Sequence, residues 1–426
     1  SQRTSELKET FNACNRGSDY RHVLAHRGKG GAAMNILLTL GRLATGLELA
    51  RSLNRAGHSV FIAEPFKWHL SKPSSAIKRS YQVTAPRTNK TQYLTNLKDI
   101  VERERIDLVI PVSEEALFAS QLADLLDDRT RMFGPRFDKM VALHDKLAFA
   151  RRCHSLGLSA PETYPAQSED ARALTQKSDY VIKPAHGCSG IGLRLCERGD
   201  RLTSGDRSQT NILQERIYGR EISSFSVVKE GRVQATAVYE GDVYLGTVSV
   251  RFKRVETMLR IERWIEAFVE AENYSGFISF DFRVDESGQP YAIECNPRLT
   301  SGVHLIHRAD LAALVCGETI KTPRFKTHKA YQDAHAALTY AVGQITRPLT
   351  YFKTLGKVLT TKDVMFDWRD PLPFFLMTPM SWDTIRPGLF ESIPLAEAAT
   401  RDIVWTGTPK VTAPEIKEVS LYGAQQ

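Results

Sequence analysis

The sequence predicts an α/β fold that gives way to α+β structure: an N-terminal parallel α/β domain over 34–136, a two-part β-rich domain over 137–210 and 211–318, and an accessory C-terminal region over 319–426. Three observations predict it. Strand and helix patterns alternate from Asn35 to about Pro135, short runs rich in β-branched and aromatic residues crowd the interval from Tyr180 to Asn296, and one helical pattern at about 256–271 interrupts those runs.

The alternation opens with a continuously apolar strand at 36–40, as a strand buried on both faces requires. After Gly41 an amphipathic helix runs over about 45–56, stops at Gly57 and leads into a second strand at 59–63. A further helix at about 91–104 delivers the apolar run 108–112. A dinucleotide fingerprint needs three glycines for its turn, its pyrophosphate approach and its helix packing. Gly41 and Gly46 stand five apart with no third in place, which argues against NAD or FAD. One helix is expected over 138–155, ending at Gly157 with Pro161 beyond it. The strands expected next are 180–183, 212–217, 221–228, 233–239, 243–252, 277–284 and 291–294. Past Cys316 come a lysine-rich segment, a helical stretch at 331–344 and a Trp- and Pro-rich run at 366–387, whose portion from Asp367 to Phe374 reads either as a lid or as an anchor.

Composition narrows the function classes. With 42% hydrophobic residues in 426, the chain can furnish a core for each unit. No apolar run approaches the roughly 18–20 residues of a membrane span, so no membrane partner is expected. Residues 1–33 read as a flexible, glycine-containing leader; a targeting segment is the other reading, and Glu6, Glu9 and Asp19 argue against it. The six cysteines have neither zinc-finger spacing nor the density of a disulfide scaffold, which points to a reducing compartment and hence the cytoplasm. A net charge of +8 favours acidic partners, but the basic residues are dispersed among nearly as many acids. An anionic small substrate accounts for the excess as well as nucleic acid does, and no nucleic-acid module accompanies it.

Three segments carry chemistry. Around the turn Asp285-Glu286-Ser287-Gly288, side-chain alternation puts Glu294 and Asn296 on one face of a strand, and Asp281 on the preceding strand can point the same way. Three hard oxygen ligands suit Mg2+, completed by substrate phosphates. A surface hairpin with solvated carboxylates is the alternative for the pair alone, but the continuation Asn296-Pro297-Arg298 adds an anion clamp beside them. Next, the run from Val181 to Gly192 delivers Lys183 on an apolar strand. The loop that follows, with Gly187, Ser189, Gly190 and Gly192, brings bare backbone N–H groups near an anion. An ordinary glycine-rich hairpin with an exposed lysine is the other reading, and Lys183 precedes the glycines, unlike a Walker loop. Finally, Gln214, Glu215, Arg216 and Ile217 end a strand whose backbone can face an adenine edge, with Glu221 a few positions on for ribose hydroxyls.

Taken in chain order, from Lys183 and its glycines through the Gln214 strand to the Asp281–Asn296 hairpin, the segments resemble the ATP-grasp superfamily, over the whole span from Lys146 to Arg298. The resemblance implies a two-part ATP-grasp domain behind a pre-ATP-grasp α/β domain, and 36–64 resembles the carbamoyl-phosphate-synthetase-like branch. It implies that Lys146 and Lys183 bind phosphate, 187–192 covers it, Gln214 to Ile217 form the adenine hinge and Glu221 holds ribose. Asp281, Glu294 and Asn296 match the metal ligands, and Arg298 the arginine that stabilises an acyl phosphate. The implied cofactors are ATP and Mg2+, with Mn2+ as a substitute; the implied partners are a small carboxylic acid, an amine and a second copy of the chain. The implied reaction is carboxylate–amine ligation, with an ATP-grasp kinase, a bicarbonate-using carboxylase and a non-catalytic sensor as alternatives. Gln214 departs from the glutamate common in the family, and nothing after Cys316 matches it. His304 and His307 read as packing or substrate contacts, and Arg251, Lys253 and Arg254 either as anion contacts or as a solvated strand edge.

Overall fold

The structure, a computed structural model, describes residues 32–187, 192–245, 248–256, 258–328, 330–333, 352–353, 360–391, 393, 395–407 and positions 349, 356 and 410. The expected leader up to residue 31, Cys188, Ser189, Gly190 and Ile191 of the glycine loop, and the expected helix beyond 333 lie outside the described residues.

Five strands, β1 (Asn35–Leu38), β2 (Ser59–Glu64), β3 (Ile77–Gln82), β4 (Leu108–Ile110) and β5 (Arg131–Met132), form a sheet of order β3-β2-β1-β4-β5. Every pairing in it is parallel. After Asn35 the central β1 is apolar because helices cover both faces, and Ile36, Leu37 and Leu38 are fully buried. Helix α1 (Ala44–Arg55) packs Leu47, Leu49, Ala50 and Leu53 against one face. On the other lies α2 (Lys90–Glu104), started by the Asn89 side chain, which accepts from Gln92 N at 3.0 Å. Strand β3 was not legible because its IKRSYQ sequence lies at the sheet edge, half exposed and without clean alternation. Short α3 (Ala116–Ala119) follows β4.

The helix expected over 138–155 is two: α4 (Phe137–His144) and α5 (Lys146–Ser155). Asp145 between them is extended, and its carboxylate accepts from Leu147 N and Ala148 N at 2.8 and 2.9 Å. A cap that re-initiates a helix competes with continuing the first one, and apolar spacing alone does not reveal it. Next come β6 (Thr163–Pro165), α6 (Glu169–Lys177), β7 (Tyr180–Pro184), β8 (Arg194–Cys196) and β9 (Asn211–Glu215); the four strands make an antiparallel sheet of order β6-β9-β7-β8.

The third sheet has the order β14-β13-β10-β11-β12-β15-β16, from β10 (Arg220–Lys229), β11 (Arg232–Leu245), β12 (Val248–Arg254), β13 (Gly276–Val284), β14 (Pro290–Asn296), β15 (Ala330–Gln332) and β16 (Lys362–Asp363). The strand expected at 243–252 is thus the end of β11 and the start of β12, and residues 331–332, expected helical, are strand because Tyr331 and Gln332 pair with Phe252 and Arg251. Helix α7 (Leu259–Ala271) covers the β13 side, with Trp264 5.1 Å from the Phe280 ring and 5.2 Å from Phe282. A 3-10 turn (Ser301–Leu305) leads to α8 (Arg308–Val315), which packs on α1.

The C-terminal region supplies α9 (Leu372–Phe375), α10 (Met377–Met380), α11 (Trp382–Phe390) and α12 (Leu395–Ala398). Its Asp370 accepts from Arg51 Nε at 2.8 Å and Ser74 Oγ at 2.6 Å, so this end of the Asp367–Phe374 run anchors to the N-terminal sheet. Farther on, Trp405 is buried in that unit's core, with Phe118 and Phe137 edge-on at 5.0 and 5.3 Å.

Candidate active site

Antiparallel pairing sets Asp281 opposite Glu294 and Ser279 opposite Asn296, so Asp281, Glu294 and Asn296 face one side of the large sheet. Asn296 Nδ2 donates to Asp281 Oδ2 at 3.2 Å, and Ser223 Oγ from β10 donates to Asp281 Oδ1 at 2.6 Å. Burial and the neighbouring Glu294 push the Asp281 carboxyl up to about 6. At Glu294 burial acts the same way, but Lys146 and Lys183 outweigh it and hold the group below the usual carboxylate range.

Both lysines reach this pair from the small-sheet side. Lys183, on β7, is buried and donates from Nζ to the Ile293 carbonyl at 3.3 Å; desolvation, partly offset by Glu294, lowers it to about 8. Lys146 opens α5, buried rather than solvated. Its Nζ donates to the Gly187 carbonyl at 2.8 Å and stands 3.7 Å from Glu294 Oε2. The break at Asp145 is what aims it: a helix uninterrupted from α4 would not start a new first turn here. Gly187 has φ +123 and Gly192 φ +76, backbone that glycine adopts without strain, while Ser189 and Gly190 lie outside the described residues.

Arg298 Nη2 is 3.1 Å from Asn296 Oδ1 and 2.5 Å from Glu114 Oε1. Glu114 was not singled out in the sequence. It follows β4, on the carboxyl edge of the parallel sheet, and its side chain is 1% exposed. Adjacent Glu115 is used internally, accepting from Thr39 Oγ1 and Val112 N, both at 2.8 Å. The sheet order reverses between β1 and β4, and ligands of open α/β sheets bind in such a crevice. Two acids just past a buried strand were the available signal. His144 was missed too: it is buried within the fields of Glu114, Lys146, Glu294 and Arg298, and desolvation lowers it to about 4. His144 stacks on His186 at 6.2 Å, and His186 Nε2 lies 3.4 Å from Asp145 Oδ2.

The expected adenine strand lies beside Lys183, since β9 pairs with β7. Gln214 is buried, its Nε2 donating to Thr163 Oγ1 at 3.1 Å, so this side chain braces the small sheet. Glu215 N donates to the Glu162 carbonyl at 2.8 Å, Arg216 N donates to the Asp179 carbonyl at 2.9 Å, and half-buried Ile217 leads toward β10. Glu221, two positions before Ser223 on β10, shares the Asp281 face and pairs with Arg283 at 2.7 Å. Arg251 and Lys253 are engaged by Asp242 and Glu240, and Arg254 lies 4.0 Å over the Phe325 ring, so all three are tied to neighbouring side chains. His304 is buried 3.9 Å from Glu48, and His307 precedes α8.

A divalent cation between Asp281 and Glu294 would offset their mutual repulsion, so the residues present fit Mg2+. Among the described residues no three His, Cys, Asp or Glu gather to hold a metal alone.

Two buried lysines, Lys183 on the small sheet and Lys146 at the start of α5, are set against the paired acids Asp281 and Glu294 of the large sheet. The chain carries an ATP-grasp domain: residues 143–302 match the family model of that description. Among solved structures the fold is shared with N5-carboxyaminoimidazole synthetase of Staphylococcus aureus complexed with ADP, at TM-score 0.58 and 14% identity, covering 70% of this chain and 82% of that one. Biotin carboxylase of Campylobacter jejuni, in a β-γ-ATP complex, aligns at TM-score 0.55 and 16% identity, covering 70% and 74%. The L-amino acid ligase of Bacillus licheniformis aligns at 0.51 and 16%, covering 64% and 69%. No curated protein sequence matches the chain.

Proposed function

We propose that the protein is an ATP-dependent carboxylate–amine ligase. The observation that carries this reading is the meeting of Lys146 and Lys183 with Glu294, opposite Asp281, beside an Arg298 that faces the crevice of the parallel sheet. Lys146 and Lys183 offset phosphate charge, and Gln214 to Ile217 with Glu221 receive the nucleoside. Asp281, Glu294 and Asn296 hold Mg2+, which when bound neutralises the β- and γ-phosphates. The acid enters from the crevice; its carboxylate oxygen attacks the γ-phosphorus, ADP leaves, and Arg298 stabilises the acyl phosphate. An amine then displaces phosphate, so the products are an amide, ADP and phosphate. Loop 187–192 excludes water meanwhile. A bicarbonate-using carboxylase is the second reading, favoured by the likeness to biotin carboxylase.

The test is ADP and phosphate release from Mg-ATP over an array of acids and amines, beside Glu294→Ala. Release that requires both an acid and an amine, and falls roughly a hundredfold or more in the variant, supports ligation. A requirement for bicarbonate instead moves the carboxylase ahead, and nucleotide binding without any stimulated turnover sinks both.

A further inference from the structure

Half of the twelve large apolar side chains exposed among the described residues are Trp68, in the loop after β2, and Trp368, Leu372, Phe375, Trp382 and Phe390 of the segment 366–390. Trp368 is 82% exposed, Phe390 74% and Phe375 65%, well beyond a grazing contact with solvent. They are linked. Trp368 meets Phe366 edge-on at 4.7 Å, and Phe366 in turn lies 5.1 Å from Phe374 and 6.4 Å from Phe375. The loop after β2 approaches this segment where the Trp68 backbone N–H donates to Asp383 Oδ2 at 3.2 Å, one residue after Trp382. Surface apolar residues scattered singly need no explanation, whereas a connected group of this kind marks an interaction surface.

The charges around it are sorted by sign. Asp363 caps its own turn, accepting from Met365 N at 2.8 Å and Phe366 N at 2.7 Å. Asp367 pairs with Arg55 and Arg308, Asp370 with Arg51, and Asp383 with the Trp68 N–H. These carboxylates are all turned onto the protein. Exposed Lys67, Lys72, Arg369 and Arg386 are left, with no carboxylate paired to them among the described residues, and Lys72 Nζ sits 4.7 Å from the Trp68 ring centre. Glu391, at the end of the segment, is paired with Arg401.

We propose that this face docks the protein peripherally on an anionic phospholipid bilayer. Amphipathic rings seat in the headgroup layer, while the outward cations meet lipid phosphates and carboxylates. No span is involved: among the described residues no helix is long and apolar enough to cross a membrane, and prolines at 371, 379 and 387 keep these helices short or interrupted. Charge complementarity decides for lipid over a second copy of the chain, because two such faces would set Lys67, Lys72, Arg369 and Arg386 against one another.

The experiment is flotation of the full chain with phosphatidylcholine vesicles with and without about 30% phosphatidylserine, beside the variant Trp368→Ser/Phe375→Ser. The wild type should float only with the anionic vesicles and be released by salt, and the variant should bind roughly tenfold more weakly at an unchanged melting temperature. Absence of wild-type flotation, equal flotation of the variant, or salt-insensitive binding to neutral vesicles would overturn the proposal. So would self-association, seen by sedimentation, that the variant abolishes while vesicles stay unbound.

Discussion

His144 is a residue whose burial has a measurable consequence. Desolvation holds it at about 4 against an unfolded value near 6.5, so in between the unfolded chain binds a proton that the folded one refuses. Its contribution to stability is therefore complete above about pH 6.5 and is lost as pH falls through about 4. A shift of this size is worth at most about 3 kcal/mol. We expect His144→Gln to flatten the dependence of the urea midpoint on pH across that window, and an unchanged slope would mean the ring is solvated. The lowered pKa also leaves His144 neutral at pH 7, within the fields of Glu114, Glu294, Lys146 and Arg298.

The element that matters most for the site is the junction of α4 and α5. Asp145 satisfies two N–H groups of the new first turn, and its second carboxylate oxygen faces His186. Removing such a cap costs about 1 kcal/mol. Asp145→Ala should thus lower the melting temperature modestly and raise KM for ATP several-fold, since Lys146 loses the turn that orients it. A variant with the full stability loss and wild-type KM would show that Lys146 is positioned by its contacts with Gly187 and Glu294 alone. The start of β10 is constrained by backbone in a comparable way. At Gly219, φ +147, a Cβ would stand 2.0 Å from the Val284 carbonyl oxygen, which keeps the approach to β10 against the end of β13.

Across the whole molecule, the chain's last described stretch returns to the first sheet. Trp405 fills the core between Phe118 and Phe137, and Asp402 pairs with Arg42 at 2.8 Å in the loop after β1. Arg42 also pairs with fully buried Glu64, and Gly407 lies 3.6 Å, measured from where a Cβ would be, from the His186 ring. The C-terminal segment thereby ties the parallel sheet to the His186 side of the site. Truncating a buried tryptophan costs about 3–5 kcal/mol, so Trp405→Ala should lower the unfolding free energy from urea denaturation by that amount. A value within about 1 kcal/mol of wild type would mean this segment docks without contributing to the core.

What was legible in the sequence is what short-range periodicity encodes. Period-2 alternation across one hairpin placed Asp281, Glu294 and Asn296 on a common face, and an apolar strand ending in glycines marked Lys183, because both patterns follow from backbone geometry within a few residues. The buried strands β1 and β2 were legible for the same reason, as was α2. Tertiary structure alone decided that Glu114 of the parallel sheet meets Arg298 of the large one, that residues 330–332 are strand, and that Trp405 and Asp370 belong to the N-terminal core. Each of these is a pairing across long stretches of chain, and its energy resides in desolvation and partner geometry that no local pattern carries.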